Sequence, residues 1–201
     1  MSKKTCLLLF IVFLSLLPSA LCFAASSSSP KRIAVLPVIR QAPALYQPQL
    51  EITLAQLLKK ELHVPLNGTL QAVEYINPDE IHAAIEDLRY DNTALQNPKN
   101  LKCLAEKLSA DLVVCLLITD AEEFQYYAGW DHTLILRSTA ELQLTGWNRA
   151  DDFIFSLKKR QSYHDEYTLT GTVPELAKEA CWRLFKKAKL KDFIFPLSKN
   201  A

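Results

Sequence analysis

The chain has 201 residues, of which 49% are hydrophobic and 22% are charged, and its formal net charge is +1. This length and apolar content suit one globular domain with a core of its own. A charge balance near zero provides no basic surplus for binding nucleic acid, so we predict no nucleic-acid partner. The composition therefore indicates an ordinary globular protein and leaves its task to the motifs.

The amino-terminal segment has the layout of a secretory signal peptide. Lys3 and Lys4 precede an apolar run from Leu7 to Leu17, and Pro18 and small residues follow. The run is shorter than the roughly 20 residues that a membrane-spanning helix needs. A positive, then apolar, then small segment directs export. We therefore predict a protein exported across the cytoplasmic membrane to the periplasm or cell envelope.

The fate of the leader depends on the residues around Cys22. Small side chains at the first and third positions before the cut favour cleavage after Ala24. Lipid attachment at Cys22 would need a small residue directly before it, where Leu21 stands, and an uncleaved anchor is a further alternative. Removing Lys3 and Lys4 leaves 21 basic against 22 acidic residues, a net charge of −1. We expect this division of the chain: 1–24 signal peptide, 25–30 flexible leader, 31–195 single α/β domain, 196–201 tail.

Apolar runs and amphipathic patterns alternate through the first part of the domain. Arg32–Ile39 and Asp111–Thr119 are apolar without alternation, which is typical of strands covered on both faces. Leu70–Ile76 predicts a strand between them. Leucines at helical spacing over 50–62 predict a helix before that strand. Two more helices are predicted after it, beginning at Asn77-Pro78 and Asn97-Pro98, where an amide cap precedes a first-turn proline.

The last part of the domain has a different pattern. From Leu134 to Leu144 apolar and polar residues alternate, which predicts a strand with one buried and one wet face. Asn148–Asp152 is a polar turn, Phe153–Leu157 opens the returning strand, and a last helix begins at Thr172. The order is βαβααβββα. We predict a three-layer α/β fold whose mixed sheet has parallel central strands and an antiparallel hairpin at its edge.

Two stretches resemble a group of bacterial envelope proteins, those with the TolB amino-terminal-domain, CsgG-like and LpoB-like pattern. They are RIAVLPV (32–38) and LAEKLSADLVVCLLI (104–118). In that group the first stretch is the central strand; the second is a helix end, a small-Asp turn (here Ser109, Ala110 and Asp111) and the next strand. The resemblance implies a non-enzymatic scaffold or adaptor that helps to assemble or regulate an envelope machine. It also allows a homo-oligomer, since the group has ring-forming members.

The residue inventory indicates no reaction. The four glycines are far apart, so no glycine-rich loop can hold a phosphate. The histidines show no metal-ligand spacing; they are His63, His82, His132 and His164. His164 and Glu166 share one strand face, but exposed strand ends are commonly polar. We therefore predict no catalytic, cofactor-binding or metal-binding residues and no cofactor.

Three cysteines follow the leader: Cys103, Cys115 and Cys181. An odd number without a close pair argues against a disulfide framework. Cys115 lies in an apolar run and Cys181 on an apolar helix face. We expect both to be buried and to act as small hydrophobic residues.

Aromatic residues gather in Glu122–His132, which we interpret as a projecting loop around a glycine. Candidates for contact with a protein partner are Phe124, Tyr126, Tyr127 and Trp130. Aromatic side chains bury large areas at low entropic cost, so they often anchor interfaces. Alternatively, they cover the sheet edge of their own fold. A second surface feature, the lysines 186, 187, 189 and 191, permits membrane contact without requiring it, since such lysines also complement the helix dipole.

We therefore predict an exported envelope scaffold or adaptor that acts by protein–protein contact and not by catalysis, with an unidentified envelope protein as partner. Two alternatives remain. A subunit of an oligomeric secretion pore would use the hairpin of 133–163, although Ser138 and Ala140 weaken its apolar face. A small periplasmic hydrolase would need a nucleophile beside a base.

Overall fold

The computed structural model describes residues 29–41, 48–65, 67, 72–129 and 132–195. The predicted signal peptide and the predicted tail lie outside the described residues. The strands are β1 (Lys31–Val35), β2 (Ile39–Arg40), β3 (Val73–Tyr75), β4 (Leu112–Ala128), β5 (Thr133–Asn148) and β6 (Phe153–Glu166). The helices are α1 (Pro48–Leu62), α2 (Pro78–Asp87), α3 (Asn92–Gln96), α4 (Pro98–Leu108), α5 (Val173–Ala188) and α6 (Leu190–Ile194), with a single 3-10 turn at Leu169–Gly171 before α5.

The strands form one mixed sheet with the order β3-β1-β4-β5-β6, and β2 pairs beside β4. β1 is parallel to β3 and to β4, whereas β4, β5 and β6 are antiparallel. Helices α1, α5 and α6 pack on one face, and α2, α3 and α4 pack on the other. The predicted three-layer α/β fold, with a parallel centre and an antiparallel edge, is confirmed.

The first half of β4 contributes to two cores at once. Successive side chains of a strand point to opposite faces, so an unbroken apolar run fills both layers. Leu112, Val114, Leu116 and Ile118 face α1 and α5. Val113, Cys115 and Leu117 face α4. The absence of alternation in this segment therefore follows from its central place in the sheet.

Several element bounds differ from the prediction. The strand predicted over Arg32–Ile39 divides into β1 and β2 around Pro37, which has no N–H for the ladder. The strand predicted over Leu70–Ile76 is limited to Val73–Tyr75 among the described residues. The strand predicted to end at Thr119 continues to Ala128. This last difference has the largest consequence, because it changes where the aromatic residues lie.

The small-Asp turn joins α4 to the sheet. Ser109 has a φ of 51°, the left-handed conformation that ends α4. The N–H of Asp111 donates to the Arg32 carbonyl oxygen at 2.7 Å, and the Asp111 carboxylate accepts from the Arg32 N–H at 2.9 Å. This carboxylate therefore fixes β1 at the start of its pairing with β4.

Beyond Ile118, β4 leaves its parallel neighbours. The last parallel pair joins Arg40 to Ile118, and a register irregularity follows between Ile118 and Asp120. Such a bulge increases strand twist and redirects side chains. From there, residues 119–128, 133–142 and 159–166 pair as a three-stranded antiparallel sheet. We call these residues the extension.

Candidate protein-contact surface

The start of α5 covers one face of the extension. Leu136 and Ala140 are buried on this face, and the Ser138 hydroxyl donates to the Gly171 carbonyl oxygen. The Glu123 carboxylate accepts from the Val173 N–H at 2.9 Å. Helix N-termini favour a negative charge, and the N-cap side chain of α5 makes no capping hydrogen bond. The Glu123 carboxylate therefore caps α5 from the sheet. This face of the extension is covered by the protein's own packing.

The opposite face of the extension, which we call the open face, is presented to solvent. Phe124 is 63% exposed there, and Arg137, its partner in the register, is also exposed. Strand pairing brings three rows of side chains together. The rows are Asp120, Glu122, Phe124 and Tyr126 on β4, Ile135, Arg137, Thr139 and Glu141 on β5, and Arg160, Ser162, His164 and Glu166 on β6.

Charged side chains of the open face pair across strands. The Asp120 carboxylate lies 3.5 Å from the Arg160 guanidinium, and the Glu141 carboxylate lies 3.7 Å from the ammonium group of Lys158. Glu141 also accepts a hydrogen bond from the Thr119 hydroxyl at 2.9 Å. Exposed ion pairs of this kind add little stability. They place opposite charges side by side along the polar part of the open face.

The outer end of the open face carries an aromatic cluster, which we define as Phe124, Tyr126 and His164. The ring centroids of Phe124 and Tyr126 are 5.8 Å apart, and the Tyr126 hydroxyl lies 3.1 Å from His164 Nε2. The hydrogen bond joins β4 to β6 across the intervening strand. Paired aromatic rings that are partly fixed in place offer apolar area at a low entropic cost.

The structure corrects the predicted position of the partner-contact candidates. The prediction of a projecting loop over Glu122–His132 is wrong, because β4 continues to Ala128. Phe124 and Tyr126 are strand residues that share the open face. Tyr127 is 70% exposed but points to the other face, since side chains alternate. Trp130 lies outside the described residues.

Sequence comparisons find no match: no protein-family model matches the chain, and no curated protein matches it. The fold is similar to solved structures. The C-terminal domain of LpoB from Salmonella enterica is 14% identical with a TM-score of 0.40, over 66% of this chain and 83% of that chain. The hypothetical protein CT253 from Chlamydia trachomatis is 12% identical with a TM-score of 0.46, over 84% and 99%.

A further similar structure is the lipoprotein GNA1162 from Neisseria meningitidis, 12% identical with a TM-score of 0.43, over 80% of this chain and 99% of that chain. LpoB is a member of the group that the two sequence stretches resemble. These identities are below 25% and the TM-scores are below 0.5. The function proposed below therefore rests on this chain's own residues.

His164 is the part of the aromatic cluster that sequence reasoning missed. The prediction that His164 and Glu166 share a face agrees with the register, which places them opposite Arg137 and Ile135. Its neighbour Tyr126 is 38 residues away in the chain. No strict alternation marks 120–126 as a strand, because Glu122 and Glu123 are both polar, and the pairing register is needed to bring β4 and β6 together. Within the described residues, no group of three side chains is placed to hold a metal ion.

Cys115 and Cys181 lie where their surroundings predicted. Cys115 and Cys181 are buried, and burial raises the pKa of both thiols to about 12. Both therefore stay protonated near neutral pH, where only the thiolate is an effective nucleophile. Cys103 is exposed, and all three are free thiols.

We expect iodoacetamide at pH 8 to label Cys103 in the folded protein and to spare Cys115 and Cys181. Peptide mass spectrometry measures this, and labelling in urea should modify all three. The pKa of the Cys115 and Cys181 thiols is ~8.5 in the unfolded chain and about 12 in the folded protein. Ionisation of these two thiols in the unfolded chain should therefore lower the free energy of unfolding as the pH rises above ~8.5. Rapid labelling of Cys115 under native conditions would contradict its burial.

Among the described residues, the helices are too short or too polar for any of them to cross a bilayer.

Proposed function

We propose that this chain is an exported scaffold or adaptor of the bacterial cell envelope, which binds another envelope protein through the open face. The observation that carries the proposal is the exposed aromatic cluster of Phe124, Tyr126 and His164. The signal-peptide layout of the first 24 residues supports the compartment.

The composition of the open face suits a protein partner. Interfaces commonly combine an aromatic centre with a polar rim. Here Glu122 and Arg137 flank the aromatic cluster, and the ion pairs of Asp120 and Glu141 lie farther along the strands. A face of three strands, each eight residues long, measures about 27 Å along the strands and about 14 Å across them. A footprint of this size favours a small, reversible interface of the kind an adaptor uses.

The ionisable groups nearby support contact more than catalysis. His164 bonds to the phenol of Tyr126, and Asp120 and Glu141 pair with Arg160 and Lys158. A hydrolase needs an activated nucleophile beside a base. The buried thiols of Cys115 and Cys181 keep their protons. The hydrogen bond of His164, the ion pairs of the acids and the protonated thiols therefore favour the adaptor over the hydrolase alternative.

Serine substitutions at the aromatic cluster test the proposal. We expect Phe124→Ser and Tyr126→Ser each to reduce recovery of the crosslinked partner from living cells at least about tenfold, as for a central interface residue. The matched control is Tyr127→Ser, which removes an equally exposed aromatic residue from the opposite face. Partners are identified by mass spectrometry, and cellular protein levels are compared.

Two results would overturn the proposal. Either Tyr127→Ser reduces recovery as much as Phe124→Ser does, or all three variants capture the partner as the wild type does. Thermal unfolding of each variant separates lost contact from lost folding. Phe124 and Tyr127 are 63% and 70% exposed, so neither substitution should lower the melting temperature appreciably.

A further inference from the structure

A tryptophan stands in solvent on the outer side of α5. Trp182 is 62% exposed, although its neighbour Cys181 is fully buried and Phe185 one turn later is nearly so. Tryptophan is normally highly buried, and where it stays exposed it commonly meets a partner or a membrane interface. The exposure of Trp182 therefore needs an explanation beyond the packing of the fold.

Lysines from three helices surround this tryptophan. Lys60 of α1, Lys178 of α5 and Lys191 of α6 line a shallow groove with Trp182, together with the apolar side chains of Leu57 and Phe185. Lys186 lies over the indole with its ammonium nitrogen 5.3 Å from the ring centroid. We call Trp182, Lys60, Lys178, Lys186 and Lys191 the basic-aromatic patch. Two acids lie beside it: Glu61 lines the groove, and Glu175 bonds to Lys178 at 2.6 Å.

Helix dipoles explain only part of this arrangement. α1 and α5 both carry lysines in their last turns, where a positive charge is favourable. These dipoles account for Lys60 of α1 and Lys186 of α5. They do not account for Lys178, which lies in the first half of α5, or for the exposed indole of Trp182.

We propose that the basic-aromatic patch docks the protein on an anionic phospholipid surface. Indole rings partition to the headgroup level of a bilayer, and lysines next to them are attracted to anionic headgroups. The stems of long lysine side chains also cover apolar surface while their charges reach the lipid phosphates. A zwitterionic bilayer can take up the indole ring but does not attract the lysines in this way.

The position of the patch agrees with this occupant. α5 begins beside Glu123 on the extension and continues for 16 residues, about 24 Å. On α5 the patch occupies positions 178 to 186, past the first turn, which contacts the extension. Lys31, the first residue of β1, bonds through its ammonium group to the Phe193 carbonyl oxygen of α6 at 2.9 Å. The chain thus enters the domain on the same side as the patch.

Quenching of tryptophan fluorescence by brominated lipid tests the docking. The full chain is mixed with vesicles of phosphatidylcholine, with or without 40 mol% phosphatidylglycerol, both carrying brominated acyl chains. We expect strong quenching with the anionic vesicles and little with the zwitterionic ones. Trp182→Phe should remove this quenching while Trp130 and Trp147 remain. Because every variant shares the same leader, the differences report on the patch.

Charge reversal supplies the second part of the test. Lys186→Glu with Lys191→Glu should lower the apparent affinity for anionic vesicles roughly fivefold or more for each lysine. The matched control is Lys99→Glu with Lys107→Glu, which makes the same charge change on α4, across the sheet. Quenching that is equal for the two lipids, or equally weakened by both charge variants, would overturn the proposal. So would quenching that survives Trp182→Phe.

Discussion

Replacing Leu136 with alanine is expected to lower the free energy of unfolding by about 2–5 kcal/mol, the range for deleting a buried leucine side chain. Leu136 is 0% exposed and lies on the face of the extension that α5 covers. Its truncation leaves a cavity that the neighbouring strands can only partly close.

Arg137 is the matched control for Leu136, because it is the next residue on the same strand and points to the open face. Arg137→Ala should change stability by about 0.5 kcal/mol or less, as is usual for an exposed site. Urea unfolding of both variants measures the difference. Equal losses would show that the two faces of the extension are covered alike, which contradicts the open face.

Replacing Gly146 with alanine is expected to cost about 1–3 kcal/mol through overpacking. A Cβ at this position would lie 2.5 Å from the Val113 carbonyl oxygen and would overlap the Phe155 ring. A ring can turn, but the carbonyl oxygen belongs to the neighbouring strand β4 and moves only with the sheet. The requirement for glycine here thus comes from the close approach of the backbone.

Thermal unfolding measures the effect of Gly146→Ala. For a domain of this size, each kcal/mol shifts the melting temperature by roughly 2–4 °C. The control is Ser156→Ala, which alters an exposed side chain on β6 near the same site and should be nearly neutral. If Gly146→Ala were as stable as the wild type, the contact between Gly146, Val113 and Phe155 would be incorrect.

Local signals predicted most of the layered fold. Asn77 and Asn97 were expected to begin helices, and each side-chain oxygen accepts a backbone N–H two residues later, at 3.0 and 3.1 Å. The unbroken apolar run of β4 was expected to be covered on both faces, and its residues fill two cores. Caps and hydrophobic patterns are short-range features, so a sequence displays them directly.

The outer half of β4, residues 119–128, could not be predicted in the same way. Aromatic residues on both sides of β4 hide its alternation, and Gly129 with polar neighbours indicated a loop. The proximity of Tyr126 and His164 depends on the register of three strands, which the pattern of either strand alone does not determine. The aromatic cluster is therefore a property of tertiary structure, although each of its residues was noted in the sequence.

The most direct test of the open face is a photo-crosslinking scan along β4 in living cells. A photoreactive amino acid is placed at each position from Asp120 to Tyr127 in turn, and crosslinked partners are counted by mass spectrometry. We predict capture at alternate positions, 120, 122, 124 and 126, whose register partners lie on the open face. Capture at 121, 123, 125 and 127, or evenly along the strand, would contradict the open face as the contact surface.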